Sequence, residues 1–409
     1  MKPRLHVLRI RLPGQWSDGW IYKEHLLLWS RTGQLHVAGL AAIARSVRAQ
    51  VSPALSVAAD YLIFRNDWKV GEQFERLRTI PNFSHLLLRE FPHNRSARIE
   101  IDTFQPIPTD FESIPGIVLD SAVYADRIYI GSTAGLFETR FSPDAPATSS
   151  PVVQRLDHRI AAVTAKYSAV NSSAGEQGLW FGPVLFGERW WRHEDAESSF
   201  RRTAELSRDN SFAAQHLLNY TDESFPKFLR AQMAQAKTTE AARYPETQVV
   251  GYDTQADIGK SAAAAMQFSR KMSLSGTSPD LKLSRSVGSA RVLGNSNFRL
   301  LVLWQGSLRV LDVSAYKGKD IEVRPDDDFG IQRTGGISPT SILKTYAIGS
   351  GFLVELMDQI RLITSAGSYV LLRDRAARVR TFIHALRYRD VALIVEENGV
   401  SLVGFMELP

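Results

Sequence analysis

The stretch NFRLLVLWQGSLRVLDV at residues 297–313 is an apolar run, a turn around Gln305 and Gly306, and a second apolar run. Taken alone it is one β-hairpin. Self-similarity along a chain decides architecture before any single element does, and this unit recurs. EHLLLWSRTGQLHVAGL at 24–40 repeats it around Gly33, and AVYADRIYIGSTAGLFETRF at 122–141 repeats it near Gly135. A poorer copy, TAKYSAVNSSAGEQGLWFG, runs from 164 to 182. GFLVELMDQIRLIT at 351–364 and RDVALIVEENGVSLVGFMEL at 389–408 supply two more.

The strands that enter these turns, LLLW, RIYI, LLVLW, FLVEL and VALIV, are continuously apolar and do not alternate. A strand of that kind is buried on both faces. Antiparallel strands buried on both faces, with few helices between them, fit radially packed four-stranded sheets better than a two-layer sandwich. The expected fold is therefore all-β: a single β-propeller of about seven four-stranded blades with short helical insertions, occupying residues 1–409. Two weaker turns, near Asn66-Asp67 and Asp222-Glu223, enter that count. Asn398-Gly399 is the strongest local turn signal, because a two-residue type I′ turn needs positive φ at both positions.

After that turn only one further strand fits before Pro409, so the last blade lacks its outer strand. RLHVLRIRL, residues 4–12, is a strand without another home, and its charged positions suit an outer edge. It is expected to complete the last blade and close the ring, removing an exposed edge. LAAIARSVRAQ at 40–50 has apolar residues at helical spacing. Residues 188–245 are rich in Glu, Arg, Ala and Gln and are expected to form a partly helical surface insertion, helical over 225–243. SPDAPATSSP at 142–151 and SLSGTSPDLKLSRS at 273–286 are loops by composition.

Of the 409 residues, 44% are apolar and 22% charged, which excludes general disorder and fibrous classes. No apolar run approaches a membrane span, and charge interrupts the N-terminal segment too often for a secretory signal. Cysteine is absent, so disulfides, thiolate metal sites and cysteine nucleophiles are excluded, and a reducing cytoplasmic location is expected. The net charge of +6 leaves room for an acidic partner or nucleic acid. The basic residues gather at Arg373, Arg375, Arg378, Arg380, Arg387 and Arg389, read as a solvated basic surface.

The hairpin series resembles the β-propeller superfold and, more loosely, WD-repeat-like propellers over most of the chain. The resemblance is architectural. No Trp-Asp dipeptide occurs, Gly335-Gly336 has the double glycine of kelch repeats only once, and Ser17-Asp18-Gly19-Trp20 has Asp-box residue types at another spacing. A fold of this kind does not confer a function.

Chemical motifs are sparse. Gly259-Lys260-Ser261 ends like a phosphate-binding loop, but position 254 is Thr where that loop needs Gly, and the stretch reads as a polar helix start. Asp326, Asp327 and Asp328 are adjacent, so their side chains diverge as in a solvated turn. The nine histidines never fall at a zinc spacing, and no Gly-x-Ser-x-Gly elbow is present. Asp120, Glu138, Glu396 and Glu397 lie beside turns, where charge is ordinarily solvated. No catalytic residue, metal or cofactor is assigned. Trp190, Trp191 and Arg192 are the candidate partner-binding residues, since aromatic side chains and arginine concentrate at interface hot spots. A core role for the tryptophans is the alternative. The expected function is a noncatalytic scaffold or adaptor for protein partners. The alternatives are a propeller enzyme or small-ligand binder using a central channel, and a nucleic-acid-associated subunit using the basic segment.

Overall fold

Strand β1 (Arg4–Pro13) leads into the meander β2 (Trp16–Tyr22), β3 (His25–Ser30) and β4 (Leu35–Gly39). Helices α1 (Leu40–Gln50) and α2 (Pro53–Ala59) and a π-helical turn (Asp60–Phe64) follow, then β5 (Ser96–Glu100) and β6 (Ile107–Pro108). The computed structural model describes residues 4–64, 96–109, 111, 114–146, 151–166, 169–174, 177, 179–183, 190–192, 291–296, 299–304, 307–314, 322–325, 331–333, 342–365, 367–374, 376–383, 385 and 387–408. The chain divides into two compact units, the first comprising Met1–Ser113, Phe141–Pro151 and Thr334–Pro409, the second Ile114–Arg140 and Val152–Arg333.

The second unit holds three sheets. The first consists of β7 (Val118–Tyr124), β8 (Arg127–Ser132), β9 (Leu136–Arg140) and β10 (Val153–Leu156). The next consists of β11 (Ala162–Lys166), β12 (Ala169–Ser173), β13 (Leu179–Pro183) and β14 (Trp191–Arg192). The last consists of β15 (Arg291–Ser296), β16 (Arg299–Trp304), β17 (Ser307–Ser314), β18 (Glu322–Pro325) and β19 (Ile331–Arg333). The stretch at 297–313 is thus the central pair of its sheet, in register from Arg299↔Asp312 to Trp304↔Ser307, with Leu301, Leu308 and Val310 buried.

In the first unit, β2, β3, β4 and β6 form one sheet. A second contains β20 (Ile342–Ile348), β21 (Gly351–Leu356), β22 (Ile360–Thr364) and β23 (Gly367–Leu372). The third is built from both ends of the chain, in the order β24 (Arg378–Thr381), β25 (Val391–Glu396), β26 (Gly399–Leu408), β1, β5. Strand β1 pairs antiparallel with β26 along its whole length, from Arg4↔Leu408 to Pro13↔Gly399. It is not the outer edge that its charges suggest, because β5 adds outside it in parallel. Arg9 and Arg11 instead meet Glu396, at 2.5 and 3.9 Å.

Six sheets are present among the described residues, four of four strands and two of five, against an expectation of about seven four-stranded blades. The expected turns at Asn66-Asp67 and Asp222-Glu223 lie outside those residues. So do the helix expected at 225–243, the stretch Gly259-Lys260-Ser261, the Asp326–328 run and Gly335-Gly336. Of the insertion expected at 188–245, only 190–192 is described.

The Asn398-Gly399 hairpin exists, but its turn is not type I′. Glu396 pairs with Gly399, leaving Glu397 and Asn398 as the connection, and none of these residues has positive φ. A Cβ on Gly399 would stand 2.7 Å from the Leu12 carbonyl oxygen, so the glycine serves the close approach of β1. Positive φ at both turn positions occurs instead at Lys23-Glu24 (44° and 65°) and Ala125-Asp126 (50° and 58°), each a two-residue connection.

Helix α1 buries Leu40, Ile43, Ala44 and Val47, the spacing of one helical face. Ser52 caps α2 by accepting from the Leu55 N–H at 3.2 Å, with Pro53 in the first turn. The π-helical turn buries Tyr61, Leu62 and Ile63 in the same core as Leu8, Ile10 and Leu12 of β1 and Val400 and Leu402 of β26. Its backbone comes so near β26 that a Cβ on Gly404 would lie 2.5 Å from the Leu62 carbonyl oxygen. Gly404→Val is expected to cost about 1–3 kcal/mol by overpacking. Urea unfolding measures this, and an unchanged midpoint rejects the close packing of the helical segment on β26.

Candidate functional site

The connections between first and second strands of the three sheets of the first unit meet along one rim. The β20–β21 turn supplies Gly349 and Ser350, whose N–H groups donate to the Arg389 carbonyl and to Asp390 Oδ1, both at 2.7 Å. Asp390 belongs to the β24–β25 connection, whose backbone turns through Ala385 N–H to Phe382 O at 2.8 Å and Tyr388 N–H to Ala385 O at 3.1 Å. Arg387 of the same connection forms an ion pair with Glu24 in the β2–β3 turn. A chain of local contacts thus joins three sheets through their first turns.

Between the last two connections lies an open recess of about 430 Å³, lined by Lys23, Glu24, Ala385, Arg387 and Tyr388. Its charged side chains are half exposed, 49% for Arg387 and 59% for Glu24, so the pair contributes about 0–1 kcal/mol and can be remodelled cheaply. The aromatic neighbours are firmer. The His25 Nδ1–H donates to the Lys23 carbonyl at 2.8 Å, and Phe141 packs edge-on against Tyr22 and His25 with ring centroids 6.0 and 5.7 Å apart. At the recess itself, the half-exposed Glu24–Arg387 pair stands beside the buried Tyr388. Among the described residues no three His, Asp or Glu side chains converge as a metal site, and no helix is long and apolar enough to cross a membrane.

The basic residues anticipated as one surface are dispersed. Arg380 is 5% exposed and lies in the core, where its Nε donates to Asp18 Oδ1 at 2.9 Å and its Nη2 to Asp18 Oδ2. Its guanidinium also stacks over Trp20, 5.0 Å from the ring centroid. The surface assignment fails there because β24 is buried on both faces at Val379 and Arg380, and position 380 meets a carboxylate 362 positions earlier. Arg378 stands 3.8 Å from the same carboxylate. Arg373 is exposed, Arg387 and Arg389 border the recess and its rim, and Arg375 is outside the described residues.

Trp190 is half-buried with its indole over Gly182, where a Cβ would come within 2.6 Å of the ring. Trp191 and Arg192 form β14, opposite Phe181 and Trp180. The rim and the Trp190 segment are separate features of different units. Lys23, Glu24, Tyr388 and Asp390 went unselected in the sequence, where isolated polar residues beside turns carry no distinguishing pattern.

No protein family matches this chain, and no curated protein sequence does. Among solved structures it is similar to the β-propeller domain of Myceliophteria thermophila Cps50 (Swd1), at 6% identity over 96% of this chain and 98% of that one, with a TM-score of 0.41. It is similar to the WD40 β-propeller domain of Doa1 at 7% identity over 97% and 95%, TM-score 0.39. A computationally designed protein, Ika8, covers 97% of this chain and 99% of its own at 9% identity, TM-score 0.33. Successive sheets of four or five strands in chain order, antiparallel but for the β1–β5 pair, with one sheet joining the two chain ends, define the class as propeller-like.

Proposed function

We propose that this chain is a noncatalytic interaction scaffold, a single β-propeller closed by β1, that docks a protein partner at the recess between the β2–β3 turn and the β24–β25 connection. The observation that carries this reading is the composition of the recess. Tyr388, Lys23 and the Glu24–Arg387 pair come from connections that no longer serve strand pairing, and they surround an open volume of about 430 Å³. Loops held on a rigid scaffold are the usual carriers of recognition, and tyrosine and arginine are enriched where partners bind. The Trp190–Arg192 segment serves as a second contact in this reading. A count of six or seven blades accommodates it equally.

Charge reversal at both cationic positions, Lys23→Glu with Arg387→Glu, is expected to preserve the circular dichroism spectrum and reduce capture of the crosslinked partner by at least about tenfold. Crosslinking followed by mass spectrometry in the native host measures it. The same partners recovered at the same yield would reject the recess as the docking site. Trp190→Ala with Trp191→Ala is expected to weaken capture with folding intact. Loss of folding would assign the tryptophans to the core.

A further inference from the structure

Two arginines of the sheet β7–β10 hold a single buried carboxylate, and a third lies on the same face. Glu138 on β9 has a side chain 5% exposed. Its Oε1 accepts from Arg127 of β8, and its Oε2 accepts from the Arg155 Nε at 2.8 Å. Residues directly opposite in an antiparallel pair share a face. The register sets Tyr129 opposite Glu138 and Arg140 opposite Arg127, so all four lie on one face. Arg155 reaches the same carboxylate from β10, at the extra residue where the β9–β10 register slips.

The charges of this group do not balance. One carboxylate offsets one guanidinium and leaves two positive charges, while the directly opposed Arg127 and Arg140 repel and weaken the pairing. Arg140 is exposed and meets no hydrogen-bond or ion-pair partner among the described residues. Arg127 uses Nη1 for Glu138 and Arg155 uses Nε, so each retains further donors of its planar fork. Burial lowers the Arg127 pKa against a smaller opposing pull from Tyr129, and Arg140 and Arg155 push it the same way as burial. The opposed guanidiniums leave this face of the sheet short of negative charge.

We propose that Arg127, Arg140 and Arg155 bind a phosphate monoester carried by a phosphorylated side chain of a protein partner. A phosphate monoester near neutral pH carries a charge of about −1.5 to −2, close to the uncompensated charge here, and guanidinium forks bond its oxygens bidentately. The site lies on the second unit and does not depend on the recess of the first.

The test uses the full chain and its Arg140→Ala variant, with three probes: inorganic phosphate, a phosphoserine peptide and the same peptide unphosphorylated. Titration calorimetry and thermal melting at constant ionic strength read the outcome. The phosphoserine peptide is expected to raise the melting temperature and to bind at least about tenfold more weakly to Arg140→Ala. The unphosphorylated peptide is expected to do neither. Without any anion, Arg140→Ala is expected to melt at or above the parent, because one like-charge contact is gone; melting below it would make Arg140 structural and overturn the proposal. Equal binding by parent and variant would overturn it too. Inorganic phosphate binding with no gain from the peptide would reject the partner as source, and tighter binding of a single-stranded oligonucleotide than of the phosphopeptide would reject the monoester.

Discussion

Asp18→Ala is expected to lower the stability of the first unit by about 3–5 kcal/mol, the cost of leaving a buried charge without its partner. Asp18 is 1% exposed and is held from three directions: the Gly19 N–H at 2.8 Å, the Arg380 Nε at 2.9 Å and the Arg380 Nη2. Arg380 is buried and covered on one side by Trp20. Removing the carboxylate therefore strands a guanidinium in the core. The sign of the remedy follows from the same physics, since replacing both charges by apolar groups of similar volume is often neutral or better. Asp18→Leu with Arg380→Met is expected to recover most of the loss. Chemical denaturation followed by circular dichroism measures both variants. A single variant within 1 kcal/mol of the parent, or a double variant as weak as the single, would sink the account.

Removal of residues 1–13 is expected to leave the first unit unfolded at ordinary temperatures. Leu5, Leu8, Ile10 and Leu12 are each fully buried, and burying such side chains is worth about 1.5–3 kcal/mol apiece. The sum, roughly 6–12 kcal/mol, matches the whole stability of an ordinary domain at about 5–15 kcal/mol. Loss of β1 also detaches β5 and bares β26 as a long apolar edge open to aggregation. A synthetic peptide of residues 4–13 added during refolding is expected to restore part of the transition. A truncated chain that melts like the parent would reject the role assigned to this strand.

What was legible in the sequence was governed by burial on both faces. Runs such as LLVLW at 300–304 and VALIV at 391–395 have no reason to be uninterrupted unless both sides are covered, and both are second strands of their sheets. The helical spacing of Leu40, Ile43, Ala44 and Val47 was equally plain, and α1 stands there. Strand β5 was not legible, because Ser96–Glu100 alternates weakly and pairs with a strand far back in sequence. The first strands resist reading for a local reason. In β2, β7 and β20 an extra residue slips the register one step from the strand start, at Ser17, Leu119 and Leu343, so alternation changes phase inside each strand.

The candidate sites were hidden more deeply. Asp18 and Asp120 follow the extra residue in their respective first strands, and both are buried carboxylates. Asp18 holds Arg380, and Asp120 accepts the Val163 N–H of the next sheet at 2.9 Å. Ser17-Asp18-Gly19-Trp20 has Asp-box residue types at another spacing, and its aspartate is an internal bond between sheets. Glu138 reads in the sequence as a solvated charge beside a turn but is buried, Arg127, Arg140 and Arg155 carry no pattern along the chain, and the four become a group only through register.

The sheet that joins both chain ends also sets a timetable. Arg11 on β1 meets the Asn398 carbonyl 387 positions later, and a ribosome adding about 5–20 residues per second needs roughly 20–80 s to cover that interval. For all of that time Leu5, Leu8, Ile10 and Leu12 have been made and their partner strand has not. Residues 4–13 are made long before the strand they pair with, so their apolar side chains wait uncovered until β26 is available.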